Sequence, residues 1–255
     1  MTRLAEDAGA LLPPPRGGRR ERRPGFTLQY EAVDAAVVNA VHAVRVDDVP
    51  ATVAAARAWF AAHGRTAFTW WVGSSARPAD LFERLQAAGA RPTGDVVLAM
   101  VLDAEPSGGG AGAVRVRRVA SLEDFRAVVE VQCAAFGTPE DERAQALAHA
   151  EDRWRQIAAG DTGVRYLALD GERVVGAAGM DRLEPGAALL VNGCVLEDAR
   201  GRGAYRALLT ARWRDARDRG WLPLVVQAGP MSAPVLERVG FRTVGELRLL
   251  RDEAG

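Results

Sequence analysis

The chain contains no lysine; all 33 of its strongly basic residues are arginines. That absence removes the P-loop, whose glycine-rich turn must end in a lysine followed by Ser or Thr. Cysteine is scarce too. Cys133 and Cys194 form no close motif, and neither stands at metal-ligand spacing from His42, His63 or His149, so a reduced, metal-free protein is expected. Charge of either sign is not in excess, with 33 basic against 33 acidic residues. No bulk electrostatic pull toward nucleic acid or a membrane follows. The longest apolar runs reach about ten residues, short of the ~20 that span a bilayer. Ala8 to Leu12 is too short for a signal-peptide core and runs into Pro13-Pro14-Pro15, so a cytoplasmic location is expected. What remains is ordinary globular composition, 48% hydrophobic and 26% charged over 255 residues, enough for one large or two modest domains.

Against that background Arg200-Gly-Arg-Gly-Ala-Tyr205 stands out, placed between an apolar run (187–196) and a helical pattern. A strand leading through a glycine-rich turn into a helix presents unpaired backbone N–H groups to a phosphate. Gly201 and Gly203 permit unusual dihedrals and a close ligand approach; Arg200 and Arg202 add positive charge. The dinucleotide fingerprint G-x-G-x-x-G does not fit, because Arg206 stands where the third glycine belongs. A diphosphate cradle is the reading.

Residues 1–24 are rich in Pro, Gly and Arg without periodicity, and a disordered arm is expected there. Glu105-Pro-Ser-Gly-Gly-Gly-Ala-Gly112 reads as a flexible linker (105–113). Ahead of it, strands at 40–46, 67–73 and 96–103 alternate with helices at 48–62 and 78–88. After it come a strand at 114–119, helices at 121–135 and 139–158, and strands at 164–169 and 172–180 joined by Asp170-Gly171. A strand at 187–196, a helix at 203–219, a strand at 222–227, a helix at 232–239 and strands near 241–251 follow.

Val195-Leu-Glu-Asp-Ala-Arg-Gly-Arg-Gly-Ala-Tyr-Arg-Ala-Leu-Leu209 resembles motif A of the GCN5-related N-acetyltransferases, V-x-P-x-x-[QR]-x-x-G-x-[GA]. Pro234-Val-Leu-Glu-Arg-Val-Gly-Phe-Arg-Thr-Val-Gly245 resembles that family's closing helix and strand. The resemblance covers 114–255. It implies an α/β fold with a mixed, mainly antiparallel sheet flanked by helices. It also implies acetyl-CoA as acyl donor, held by Val195, Arg200, Gly201, Arg202, Gly203, Ala204 and Tyr205. Residues 25–104 repeat part of the pattern, since Glu83-Arg-Leu85 and Gly89 to Gly94 parallel Glu237-Arg-Val239 and Gly240 to Gly245. They read as a degenerate, partial copy of the same fold, with chance similarity as the rival. Where its cradle would lie stands Val46-Asp-Asp-Val-Pro50, whose acids repel a diphosphate.

The resemblance further implies a bulge in the strand at 187–196 whose N–H groups polarise the thioester carbonyl. Asn192-Gly193 interrupts the apolar run there; an Asn-Gly hairpin is the rival. Asn192 is a candidate catalytic group, with a satisfied core amide as the alternative. The family's tyrosine acid on the last helix is replaced by Leu236, and the Asn or Ser ahead of it by Gly229. Ser232 is the nearest substitute toward the sulfur, with a helix-cap role as its alternative. Tyr205 departs from the small residue the motif prefers. Asp181 and Glu184 are candidate bases. The expected activity is acetyl transfer to the primary amine of a small molecule. No nucleic-acid or membrane partner is expected, and a homodimer is allowed. The alternative is a non-catalytic acyl-CoA-binding or interaction module on the same scaffold.

Overall fold

A computed structural model of the protein describes residues 1–13, 17–31, 35–36, 38–107, 114–160, 162–184 and 186–254. The chain opens with helices α1 (Thr2–Glu6) and α2 (Ala8–Leu11) and strands β1 (Arg19–Arg23) and β2 (Phe26–Tyr30). Next come β3 (Ala40–His42), α3 (Val49–Ala62), β4 (Ala67–Gly73), α4 (Leu81–Ala87) and β5 (Arg91–Leu102). Most of the expected linker, 108–113, lies outside the described residues. Beyond it run β6 (Val114–Arg118), α5 (Leu122–Phe136), α6 (Glu140–Ala148), α7 (Ala150–Ala158), β7 (Gly163–Asp170), β8 (Arg173–Leu183) and β9 (Ala187–Val195). A 3-10 turn (Glu197–Ala199) leads to α8 (Ala204–Arg219), β10 (Leu224–Ala228), α9 (Ala233–Glu237) and β11 (Arg242–Glu253). The single helix expected over 139–158 is two, parted at His149, which adopts φ −90°, ψ 0°. No helix among the described residues is long and apolar enough to cross a membrane.

The chain divides into two compact units: Met1–Val101 with Val225–Glu237 and Arg242–Gly255, and Leu102–Leu224 with Arg238–Phe241. In the first unit the strands lie in the order β1-β2-β3-β4-β11-β5-β10. The division inferred from the linker places all of 114–255 in one domain; the structure sends β11 to the first unit instead. The cause is pairing. β11 is antiparallel to β4, from Leu247 opposite Gly73 to Glu253 opposite Ala67, and antiparallel to β5 on its other side. Leu250 thereby joins a core built from Leu28, Phe60, Phe68, Trp70 and Leu85. The Phe60 and Phe68 rings stack at 4.3 Å. Asp48 caps α3 by accepting the Ala51 N–H at 2.9 Å, which satisfies an end that would otherwise attract anions.

The disordered arm expected over 1–24 is corrected by α1, α2 and β1. Pro24-Gly25 turns β1 into β2, with Gly25 at φ +83°, the value a type II turn requires. Glu6 is buried. Its carboxylate accepts hydrogen bonds from Ser74 Oγ at 2.7 Å, the Ser75 N–H at 3.0 Å and Ser75 Oγ. Gly73 and Gly245 make this possible, because a Cβ on either would stand 2.6 or 2.2 Å from a Glu6 oxygen. Asp7 pairs with Arg45 at 2.9 Å. Gly9 lies over the buried His42 ring, 2.5 Å from where a Cβ would be. Composition alone could not show this order, since its partners are remote in sequence.

In the second unit the strands lie in the order β9-β8-β7-β6, all antiparallel. Ser121 caps α5 by accepting the Asp124 N–H at 3.1 Å, and Gly137 closes it in the left-handed conformation. Val128 and Val131 of α5 pack on Leu167, Leu169, Ala177 and Cys194. α8 packs on all four strands.

Two outcomes follow for the first unit. Glu6→Ala removes a buried acceptor from three donors and is expected to cost about 2 kcal/mol, read as a lowered denaturation midpoint. Burial, with Arg20 adding repulsion, pushes His42 from 6.5 down to about 3. The unfolded chain therefore binds the extra proton between those values, so stability falls as pH drops through that window. His42→Gln is expected to lose less melting temperature than the natural protein on acidification from neutrality.

Candidate functional site

β9 carries an extra residue against β8. Val191 pairs with Gly179 and Cys194 with Ala177, so Asn192 and Gly193 together face the single residue between. This is a β-bulge. β9 continues through it, which excludes the Asn-Gly hairpin. Asn192 adopts φ +49°, a left-handed value that Asn tolerates better than most residues. The core-amide alternative does not hold, because Asn192 is exposed. Its carbonyl accepts a bond from Gln132 Nε2 at 3.3 Å.

Past Val195 the 3-10 turn brings the chain to Arg200 in extended conformation. Gly201 at φ +79° and Gly203 at φ +86° then turn it into α8. Gly203 is the N-cap and no side chain caps the helix; the first helical bond runs from the Ala207 N–H to the Gly203 carbonyl at 2.9 Å. The N–H groups of Ala204 and Tyr205 therefore have no partner within the helix. Nothing in the protein lies within 4 Å of where a Cβ on Gly201 or Gly203 would stand. Arg200 and Arg202 are exposed, and Arg202 holds Asp170 at 3.1 Å. An open, positively framed helix end of this kind can accept a phosphate or diphosphate.

Gly193 faces α8, and the space left by its missing side chain is filled by two groups. Tyr205 Cε2 lies 3.4 Å from where its Cβ would be, and the Arg212 Nη1 and Nη2 atoms 3.5 and 3.6 Å. Arg212 is 1% exposed. Its Nε donates to the Leu208 carbonyl at 3.2 Å and Nη1 to the Gly179 carbonyl at 3.4 Å, while Nη2 has no hydrogen-bond partner. Burial draws its pKa below the usual arginine value, yet an arginine stays charged in proteins. Asp215, one turn further along α8, is committed elsewhere. It accepts two bonds from Arg118 and one from the Tyr166 hydroxyl at 2.6 Å. Burial, then that bond to Asp215, raises the Tyr166 phenol above its ordinary value. Asp215 is thus half-buried and paired.

Arg212 was not among the residues expected at the site. Its position was legible, because Leu208, Arg212 and Ala216 recur at four-residue spacing along the buried stripe. Of the candidate bases, Asp181 is engaged by Arg165 at 2.6 Å and Glu184 is exposed. Ser232 lies in the first unit, where its hydroxyl donates to the Gly229 carbonyl at 3.1 Å, and Leu236 is buried there. Among the described residues no three His, Cys, Asp or Glu side chains are grouped to hold a metal ion.

No protein-family model matches this chain, and no curated protein matches it. Solved structures do. The GCN5-related N-acetyltransferase from Kribbella flavida aligns with a TM-score of 0.72 at 18% identity, over 98% of this chain and 95% of that one. A tandem GNAT protein from the clavulanic acid biosynthesis pathway aligns at 0.65 and 16% identity, over 98% and 88%. The GCN5-related N-acetyltransferase from Sphaerobacter thermophilus aligns at 0.62 and 18% identity, over 90% and 81%. These likenesses show the fold, a mixed α/β architecture with a largely antiparallel sheet.

Beneath the bulge, burial pushes the Cys194 thiol up to about 11. At about pH 8 roughly one molecule in a thousand carries the thiolate. Cys194 is expected to resist maleimide in the native protein and to react after denaturation, as read by peptide mass.

Proposed function

We propose that this chain, which has the fold of the GCN5-related N-acetyltransferases, transfers the acetyl group of acetyl-CoA to the primary amine of a small molecule. The observation that carries the reading is the uncapped start of α8, entered through two glycines at positive φ and reached from a bulged strand. The N–H groups of Ala204 and Tyr205 have no helical partner, and the helix dipole favours negative charge there. Gly201 and Gly203 leave room for phosphate oxygens against the backbone, and Arg200 and Arg202 supply counter-charge. Val195 lines the lead-in to this turn.

Bound acetyl-CoA would supply an activated thioester. The Asn192–Gly193 bulge offers N–H groups to its carbonyl oxygen, where negative charge grows as the amine adds. Asn192 is the proposed side-chain contact to the reacting groups, being exposed at the bulge. Leu236 supplies no proton, but a thiol of pKa ≈ 8.5 leaves tolerably without one. A small acceptor is consistent with the likeness to the tandem GNAT protein from the clavulanic acid biosynthesis pathway.

A second reading, a non-catalytic acyl-CoA-binding module, is favoured by the buried Leu236 and by Gly229 where side-chain donors are expected.

Calorimetric titration of acetyl-CoA into the natural protein and Gly203→Glu tests the site. Gly203→Glu is expected to weaken binding at least tenfold, about 1.4 kcal/mol, because it brings a carboxylate and a Cβ to the open cradle. Absence of binding by the natural protein would sink the acetyl-CoA reading. Thiol release across a panel of amines then separates enzyme from binding module.

A further inference from the structure

We infer that Arg212 is a positioning residue of the transfer reaction, which sets a permanent positive charge beneath the Asn192–Gly193 bulge, with Tyr205 closing the space around it. The inference rests on the acetyl-CoA reading above. Interior charges are ordinarily paired, because an uncompensated one is costly to remove from water. Arg212 is buried, has no carboxylate at ion-pair distance among the described residues, and leaves Nη2 without a hydrogen bond. Asp215 cannot neutralise it while bound to Arg118 and Tyr166.

Packing does not demand the charge. Leu208 and Ala216 fill the neighbouring positions of the same stripe with apolar groups, and an apolar side chain of similar length would fit Arg212's place without a desolvation penalty. What the guanidinium gains is location. Nη1 holds the Gly179 carbonyl on β8, opposite Val191, where the regular ladder stops. Both terminal nitrogens lie within 3.6 Å of the point that a Gly193 side chain would occupy. The Tyr205 ring edge closes the same space, which gives a role to the residue that departs from the small side chain of the motif.

The charge acts where the reaction needs it. As the amine nitrogen bonds to the thioester carbon, the carbonyl π pair moves onto oxygen. It returns as the C–S bond breaks and its pair leaves on sulfur; the surplus amine proton passes to solvent. A fixed cation under the bulge lowers the energy of the transient oxyanion in a site of low dielectric.

Infrared spectroscopy of acetyl-CoA labelled with 13C at the carbonyl, bound to the natural protein, Arg212→Met and Arg212→Lys, provides the test. In the natural protein the bound carbonyl band is expected below its frequency in free acetyl-CoA. In Arg212→Met acetyl-CoA affinity is expected to change by less than about threefold. Its melting temperature is expected to be equal or higher, and the band to return toward the free position. A buried ammonium titrates where a guanidinium does not, so Arg212→Lys is expected to show the lowered band in acid and lose it as pH rises. An equal band displacement in Arg212→Met, or a bound band at the free position in the natural protein, would overturn the inference and leave the acetyl-CoA reading standing. So would loss of folding in Arg212→Met together with a band independent of pH in Arg212→Lys. Failure of the natural protein to bind acetyl-CoA would defeat that reading, and this inference with it.

Discussion

One additional residue in β9, set against β8 at Asn192–Gly193, fixes how the second unit is built around α8. Because two residues there answer one, the ladder opens locally and Asn192 must take a positive φ. Gly193 then faces α8 with no side chain, and Tyr205 and Arg212 fill the room it leaves. Both belong to α8, the helix whose first turn is also left without a cap. A single irregularity thus ties strand, helix and buried charge together. Had the pairing stayed regular, neither the left-handed Asn192 nor the space above Gly193 would exist.

The chain uses the strand-helix-strand-helix-strand pattern twice, as β3-α3-β4-α4-β5 and β9-α8-β10-α9-β11, with opposite chemistry at corresponding helix starts. Asp48 closes the first turn of α3 with its own carboxylate, leaving negative charge where an anion would bind. Gly203 gives α8 no such group. In the first repeat the loop after β4 is also occupied, since Ser74 and Ser75 donate to Glu6. Backbone geometry is shared; availability of the N–H groups is not.

Local features are legible in the sequence. Asp170-Gly171 joins β7 to β8, Ser121 caps α5, and Gly201 and Gly203 take the dihedrals that make them necessary. Each rests on neighbours in the chain. Order in the first thirty residues rests instead on Gly73, Ser74, Ser75 and Gly245, and no periodicity within a Pro- and Arg-rich stretch reveals such partners. The place of β11 was hidden for the same reason: alternation identifies a strand but not its neighbours. Arg212 is concealed because a charged residue on a helix reads as solvent-facing unless the four-residue stripe through it is followed.

The insertion of β11 between β4 and β5 bears on how the protein comes into being on the ribosome. β5 ends at Leu102, whereas the strand that pairs with it begins at Arg242. While the intervening chain is being synthesised, β4 and β5 have emerged but lack the strand that separates them, so their inner edges stay unpaired. Unpaired edges in a growing chain invite wrong partners. Completion of the first unit must therefore wait for Arg242–Glu253 to leave the exit tunnel, and these must then close a loop of very high contact order. The second unit, with β6 to β9 and α8 contiguous in sequence, has no such delay. The unit whose synthesis begins first is thus the later to have all its strands available.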